Sequence, residues 1–252
     1  MRLRPIDFVK TYYSDPDIIR QYATVGLWPS EEMIVDRYFE PGSTVLDIGC
    51  GAGRTSIALT MKGYKVTAID LIPEMIDAAK EQAKRYSVKI NFQVMDASQM
   101  TFPLESFDHA FFSFNGFEQI PGSKNREKVL SEVWRVLKVG GIFVLTTRSG
   151  LAAGKRWLGW PWLCLEFLYR KMLDNTEQDW ELGDKVRQGN YHHYLSPFML
   201  RKLLSCSGFN VFQFNSSKNI EKGRRAQFFT NFSKDKALFY VAKKNLATGH
   251  SS

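Results

Sequence analysis

The chain has 252 residues, 44% hydrophobic and 24% charged, a balance that suits one large globular α/β domain and excludes a disordered or low-complexity protein. The net charge of +8 is unevenly placed: residues 1–180 carry 22 basic and 22 acidic side chains, and residues 181–252 carry 12 and 4. Cys50, Cys164 and Cys206 are odd in number and widely spaced, which gives neither a disulfide framework nor a metal knuckle.

Residues 1–41 are polar and aromatic, with helices expected over 15–24 and 30–39; Ser30 is the expected cap of the second, ahead of Glu31 and Glu32. No secretory signature stands at residues 1–15, so a cytoplasmic location is expected. From residue 42 the pattern alternates. Strands are expected at 44–48, 65–69, 89–95, 107–114 and 141–147, with helices at 54–62, 73–85 and 125–137 between them. Strands separated by helices of about a dozen residues build βαβ units and a parallel sheet.

The alternation stops at Ser149. Residues 149–195 are read as an insertion rich in aromatics, with Trp157, Trp160, Trp162 and Trp180. Its apolar run, 158–169, falls short of the about 20 residues that span a bilayer, and Pro161 interrupts it. The insertion reads as a lid over a substrate, as a packed helix or subunit contact, or as a peripheral membrane contact through 155–171, where cations flank the aromatics. A helix capped by Ser196, a strand at 209–214, a basic loop at 218–225 and a last strand at 237–242 complete the pattern; 245–252 is the expected tail. The basic excess of this last quarter points to an anionic neighbour (a carboxylate or phosphate on a substrate, a membrane, or RNA) or to a solvated basic face.

Val45-Leu46-Asp47-Ile48-Gly49-Cys50-Gly51-Ala52-Gly53 carries the chemistry. A strand runs into a turn whose glycines let a ligand lie against bare backbone, beside the unpaired N–H groups of a helix start. The G-x-G-x-G spacing and the acid before it argue against a dinucleotide site, which uses G-x-G-x-x-G on a pyrophosphate. Asp70 ends the second strand, where a carboxylate can accept both hydroxyls of a ribose. Asp96 follows the third, with Ala97 next, where an acceptor can meet the amine of an adenine.

With these motifs the chain resembles the class I S-adenosylmethionine-dependent methyltransferases, of the type 11/25-like domain, over residues 43–148 and in outline to about 244. The frame from Phe107-Asp108 to Ile120-Pro121, and Leu137-Lys138-Val139-Gly140-Gly141 as a turn, continue the resemblance, with Val139 where the family has proline. It implies a Rossmann-like fold: a seven-stranded, mostly parallel sheet with helices on both faces, helices before it, and a lid inserted between its fifth and sixth strands. The implied segments are 1–41, the core 42–148, the insertion 149–195, the completion of the sheet at 196–244 and the tail 245–252.

S-adenosyl-L-methionine is the implied cofactor. Asp47, Gly49, Cys50, Gly51 and Gly53 would lie beside its methionine moiety, Asp70 at the ribose with Leu71 and Met75 near, Asp96 and Ala97 at the adenine, and Phe114 and Asn115 close by. The expected acceptor is a small molecule, lipophilic or anionic. An RNA or protein acceptor is the alternative, and an NAD-dependent oxidoreductase or a non-catalytic cofactor-binding protein comes after it. Glu118 is a candidate for orienting an acceptor amine or hydroxyl, and His192 or His193 for taking its proton; adjacent histidines point apart, so only one can serve. No third ligand at suitable spacing supports a metal. Cys50 reads as a small fitting residue and Arg54 as a helix-surface charge.

Overall fold

The computed structural model describes residues 3–148, 180–233, 235 and 237–245. The run 158–169, the three tryptophans before 163 and the segment 155–171 lie outside these residues, as does most of the tail.

Three helices lead in: α1 (Pro5–Tyr13), α2 (Pro16–Tyr22) and α3 (Pro29–Tyr38). Each has proline in its first turn, where a missing N–H costs nothing. Helix α1 was not expected; it packs against the late strand β7 (Asn190–His193), a partner remote in sequence. Nor does Ser30 cap α3. Pro29 occupies the first turn, and the Glu31 carboxylate takes the N–H of Trp28 at 2.8 Å.

The core follows as β1 (Thr44–Ile48), α4 (Arg54–Met61), β2 (Lys65–Asp70), α5 (Pro73–Arg85), β3 (Asn91–Val94), β4 (Phe107–Phe112), a 3-10 turn at Gly116–Gln119, α6 (Ser123–Val136) and β5 (Leu137–Thr147). Beyond β5 the described residues form β6 (Asp184–Arg187), β7, α7 (Pro197–Cys206), β8 (Phe209–Ser216), α8 (Ser217–Glu221), a 3-10 turn at Phe228–Phe232 and β9 (Leu238–Lys244). Ser196 caps α7 as expected, its hydroxyl accepting the N–H of Met199 at 3.2 Å.

Among the described residues seven strands form one sheet in the order β3-β2-β1-β4-β5-β9-β8. The first five are parallel, and β9 is antiparallel to both its neighbours. Alternate residues bury on opposite faces: Leu46, Phe112 and Leu145 pack towards α6 and α7, whereas Val45, Phe111 and Val144 pack towards α3, α4 and α5. This is the Rossmann-like α/β architecture expected. The chain moves outward from β1 to β3 and then returns to the other side of β1, so a crevice opens at the carboxyl ends of β1 and β4.

Two local expectations give way. The Leu137–Gly141 turn is instead the bulged start of β5: Phe107 pairs with Leu137 but His109 with Ile142. Within the insertion, β6 and β7 form an unforeseen hairpin around Gln188 and Gly189, whose φ values of 52° and 80° suit a two-residue turn. Asp184 locks it, accepting the Tyr191 hydroxyl and His193 Nδ1 at 2.6 Å each.

At the α7–β8 turn Gly208 has φ +85°, and a Cβ there would stand 2.6 Å from Trp134 Nε1. Gly208→Ala is expected to lose about 1–3 kcal/mol of stability through overpacking, measured as a lower urea midpoint at unchanged slope.

Candidate functional site

The turn between β1 and α4 places Gly49, Gly51 and Gly53 at φ +63°, +53° and +87°, a region that side chains rarely adopt. They serve different ends. A Cβ on Gly49 would stand 2.9 Å from the Phe112 ring, and one on Gly53 would stand 3.2 Å from Ala79, so these two let the turn pack. At Gly51 the nearest atom would be 3.9 Å away, and its bare backbone borders a cavity of about 710 Å³.

Of the residues nominated from sequence, Gly49, Cys50, Gly51, Asp70, Leu71, Met75, Asp96, Ala97 and Phe114 line this cavity. Asp70 is its central acid. One carboxylate oxygen accepts the N–H of Gly51 at 2.8 Å and the other that of Ile72 at 2.9 Å, which ties β2 to the glycine turn. Burial raises its pKa, and these backbone donors oppose the rise. Asp96 accepts the N–H of Ser98 at 2.8 Å and stays exposed.

Gly53, Asp47 and Asn115 stand behind the wall. Asp47 receives the Thr55 and Ser56 hydroxyls at 2.5 Å each, so it staples the start of α4 to β1. Burial raises its carboxyl to about 6 against the pull of those hydroxyls. Asn115 is buried, its N–H donating to Thr146 Oγ1 at 3.1 Å. The Cys50 thiol is buried and burial pushes its pKa well up, which makes it a packing residue and not a nucleophile. Among the described residues no group of His, Cys, Asp and Glu is placed to hold a metal.

An aromatic wall from the leading helices was not foreseen. Tyr13 and Tyr22 line the cavity, stacked edge to face at 5.6 Å. Phe114 joins them, 5.4 Å from Tyr22 and 4.9 Å from Trp28. Phe114 and Asn115 have φ of 54° and 62°, a conformation that costs a bulky residue about 1–2 kcal/mol. Arg54 holds Phe114 there. Instead of a surface charge it is a clamp, bidentate on Glu31 at 2.7 and 2.8 Å, with further bonds to the Gly26 carbonyl and the Ser113 hydroxyl. Its guanidinium lies 5.3 Å from both the Trp28 and Phe114 rings. Aromatic abundance in residues 1–41 was the one sequence signal for this wall.

Glu118, on the 3-10 turn after β4, is buried just outside the cavity lining. Its Oε1 accepts the N–H of Arg148; its Oε2 has no hydrogen bond and lies 3.8 Å from His192 Nδ1. Burial raises the Glu118 carboxyl to about 7, against the influence of Arg148. His192 Nδ1 is 2.9 Å from the side-chain amide of Gln119, which reaches the cavity wall. Burial first, then the charges of Arg148 and Arg187, push His192 down to about 4, so it is neutral at pH 7. His193 does not join this group. Its ring faces Asp184 and the backbone at Gly183, away from the cavity.

Residues 45–141 match the model of a family described as a methyltransferase domain. A demethylmenaquinone methyltransferase from Symbiobacterium thermophilum is 28% identical over 142 residues, 53% of this chain and 54% of that protein. A ubiquinone biosynthesis O-methyltransferase from Xanthomonas campestris pv. campestris is 29% identical over 116 residues, 46% of this chain and 47% of that protein. The chain thus spans about half the length of these curated relatives. The crystal structure of a SAM-dependent methyltransferase from Methanosarcina mazei superposes with a TM-score of 0.64 at 26% identity, covering 88% of this chain and 100% of that one.

Glu31→Ala leaves the Arg54 guanidinium half-buried without its counter-charge, and a loss of about 3 kcal/mol in chemical denaturation is expected. Glu118 gives a pH signature. Its folded pKa of about 7 lies above the ordinary 4.5, so its contribution is present below pH 4.5 and is lost as pH rises through 7. Relative to wild type, Glu118→Gln should therefore gain roughly 3 kcal/mol between pH 4.5 and pH 8, read from melting curves at both values.

Proposed function

We propose that this chain, whose residues 45–141 match a methyltransferase domain, is a class I S-adenosylmethionine-dependent methyltransferase that transfers the cofactor's methyl group to a small-molecule acceptor. One observation carries the reading: the bare backbone of Gly51 and the carboxylates of Asp70 and Asp96 meet in one cavity at the point where the strand order reverses. The residues present fit the cofactor. A Cβ on Gly51 would come no closer than 3.9 Å to Tyr22, and each Asp70 oxygen, after taking one N–H, keeps a lone pair for a ribose hydroxyl. Gly49, Cys50 and Gly51 would hold the methionine moiety, with Asp47 bracing them from behind. Leu71 and Met75 would pack beside the nucleoside, and Asp96 with Ala97 would meet the adenine edge.

When bound, the cofactor supplies an electrophilic methyl on a sulfonium whose departure as a neutral thioether needs no acid. The chain's task is therefore alignment, and positioning of this kind is worth about 7–11 kcal/mol. Tyr13, Tyr22 and Phe114 wall the cavity and exclude water from it. Gln119 presents the acceptor side, with neutral His192 fixing its amide. Glu118, with one oxygen uncommitted and a proton affinity near neutrality, receives the acceptor's proton where one must leave. His193 serves the hairpin instead. A cytoplasmic setting is part of this reading, supported by the free thiols of Cys50 and Cys206.

The protein should gain melting temperature with S-adenosylmethionine or its demethylated product; no shift at millimolar ligand would overturn the proposal. Asp70→Ala should weaken this binding more than Glu118→Ala does, and the reverse order would displace the ribose assignment. With an acceptor in hand, kcat should rise with pH to a plateau above about 7, as Glu118 ionises. Glu118→Gln should lose that rise while keeping cofactor affinity.

A further inference from the structure

The sheet brings the β8–β9 connection and the start of α7, which carry much of the basic excess of the last quarter, to the edge on which the cavity opens. Thr147 at the end of β5 pairs with Leu238 at the start of β9, and Leu238 pairs with Ser216 at the end of β8. The β8–β9 connection therefore stands on the carboxyl edge. Helix α7 leads into the opposite end of β8, where Phe209 pairs with Lys244, so its Pro197 end stands on the carboxyl edge as well.

Contacts along the chain lead from the cavity towards these parts. Glu181 lines the cavity, and the next residue, Leu182, is 41% exposed. The Gly183 carbonyl accepts the N–H of Tyr194, which ties the residue after Leu182 to the chain that leads into α7. There Phe198 and Met199 are 46% and 54% exposed. The Arg201 guanidinium lies 5.1 Å from the Phe198 ring and donates to Asn231, whose side-chain amide donates to the Phe228 carbonyl. Phe228 is the most exposed large apolar residue described, at 66%. The basic loop is tied in behind it: Asn215 donates to the Arg224 carbonyl and Asn219 to Thr230. Across 196–233 stand Arg201, Lys202, Lys218, Lys222, Arg224 and Arg225, against one acid, Glu221.

Single exposed apolar side chains are ordinary on a protein surface. Apolar residues joined to one another, ringed by cations and leading to a cavity are not. We propose that this rim docks on an anionic bilayer, with Phe198, Met199 and Phe228 entering the headgroup boundary and the cations meeting lipid phosphates. The docking follows from the rim alone. The acceptor class it implies, an amphiphile that reaches the cavity from the lipid past Leu182, rests on the methyltransferase reading above. RNA would satisfy the cations but not Leu182 and Met199, which offer no ring to stack on a base. The contact proposed is peripheral; no helix among the described residues is long and apolar enough to cross a membrane.

The test is co-sedimentation of the full chain with vesicles of phosphatidylcholine alone, and of phosphatidylcholine with phosphatidylglycerol. Binding to the mixed vesicles only, weakened by salt, is expected. Phe228→Ser and the pair Arg224→Glu, Arg225→Glu should each weaken it roughly tenfold, with melting temperature and cofactor binding unchanged. Phe198→Ser gives an independent arm should Phe228→Ser not fold. Failure of wild type to bind the mixed vesicles overturns the proposal. So does equal binding by the folded variants, or binding to single-stranded RNA that these variants lose while vesicles are ignored. A protein that sediments with vesicles but shows no melting shift with S-adenosylmethionine would refute the methyltransferase reading and leave the docking intact. The opposite pair of results would refute the docking alone.

Discussion

The turn from β1 into α4 is held from two sides by carboxylates: the buried Asp47 takes the hydroxyls of Thr55 and Ser56, and the half-buried Asp70 takes the amide of Gly51. Three residues of this turn have positive φ, so the chain has little intrinsic preference for the shape. Bonds to a charged acceptor are roughly twice as strong as neutral ones, and they supply the missing definition. The donors on each acid offset part of the cost of burial, which raises the pKa of both. Every contact proposed for the cofactor then follows from where this turn puts the Gly51 backbone and the end of β2.

A second clamp closes the other flank. Arg54 leaves the first turn of α4 and reaches Glu31 at the head of α3, the Gly26 carbonyl, and Ser113 at the tip of β4. It thereby sets three segments at fixed distances around the cavity, and its cationic face stacks on Phe114 and Trp28. The strained backbone of Phe114 persists because the surrounding contacts over-determine it. The aromatic wall is thus an outcome of the same ion pair that anchors the leading helices.

This division explains what could be read from the sequence. The parallel strands and the glycine turn were legible because their signals are local: short, almost continuously buried β-rich runs in β1 and β4, and glycines followed by a helix. The roles of Arg54 and Glu31 were not, since two charges 23 residues apart on different helices carry no pattern that distinguishes a clamp from solvated surface. Helix α1 packs against β7, and Tyr13 meets Asn190 across 177 residues. Asp47 was nominated for the ligand side, yet only the positions of Thr55 and Ser56 decide that its carboxylate turns inward. The two adjacent histidines had to point apart. Which one turned toward Glu118 depended on Asp184, whose carboxylate claimed His193 for the hairpin.

The antiparallel placement of β9 has a consequence that composition alone does not hold. In a sheet that stayed parallel to its end, the last connection would start from the carboxyl edge and cross to the other. Here β9 runs against β5 and β8, so the β8–β9 connection begins and ends on the carboxyl edge. Two turns of chain with cations at Lys218, Lys222, Arg224 and Arg225 are therefore delivered to the side where the cavity lies, although they are far in sequence from the glycine turn. The asymmetry of charge along the chain becomes an asymmetry across the molecule, and its field acts where a ligand must approach. A basic excess placed on the opposite edge would have left the same net charge and the same cavity, with no influence on what reaches the site first.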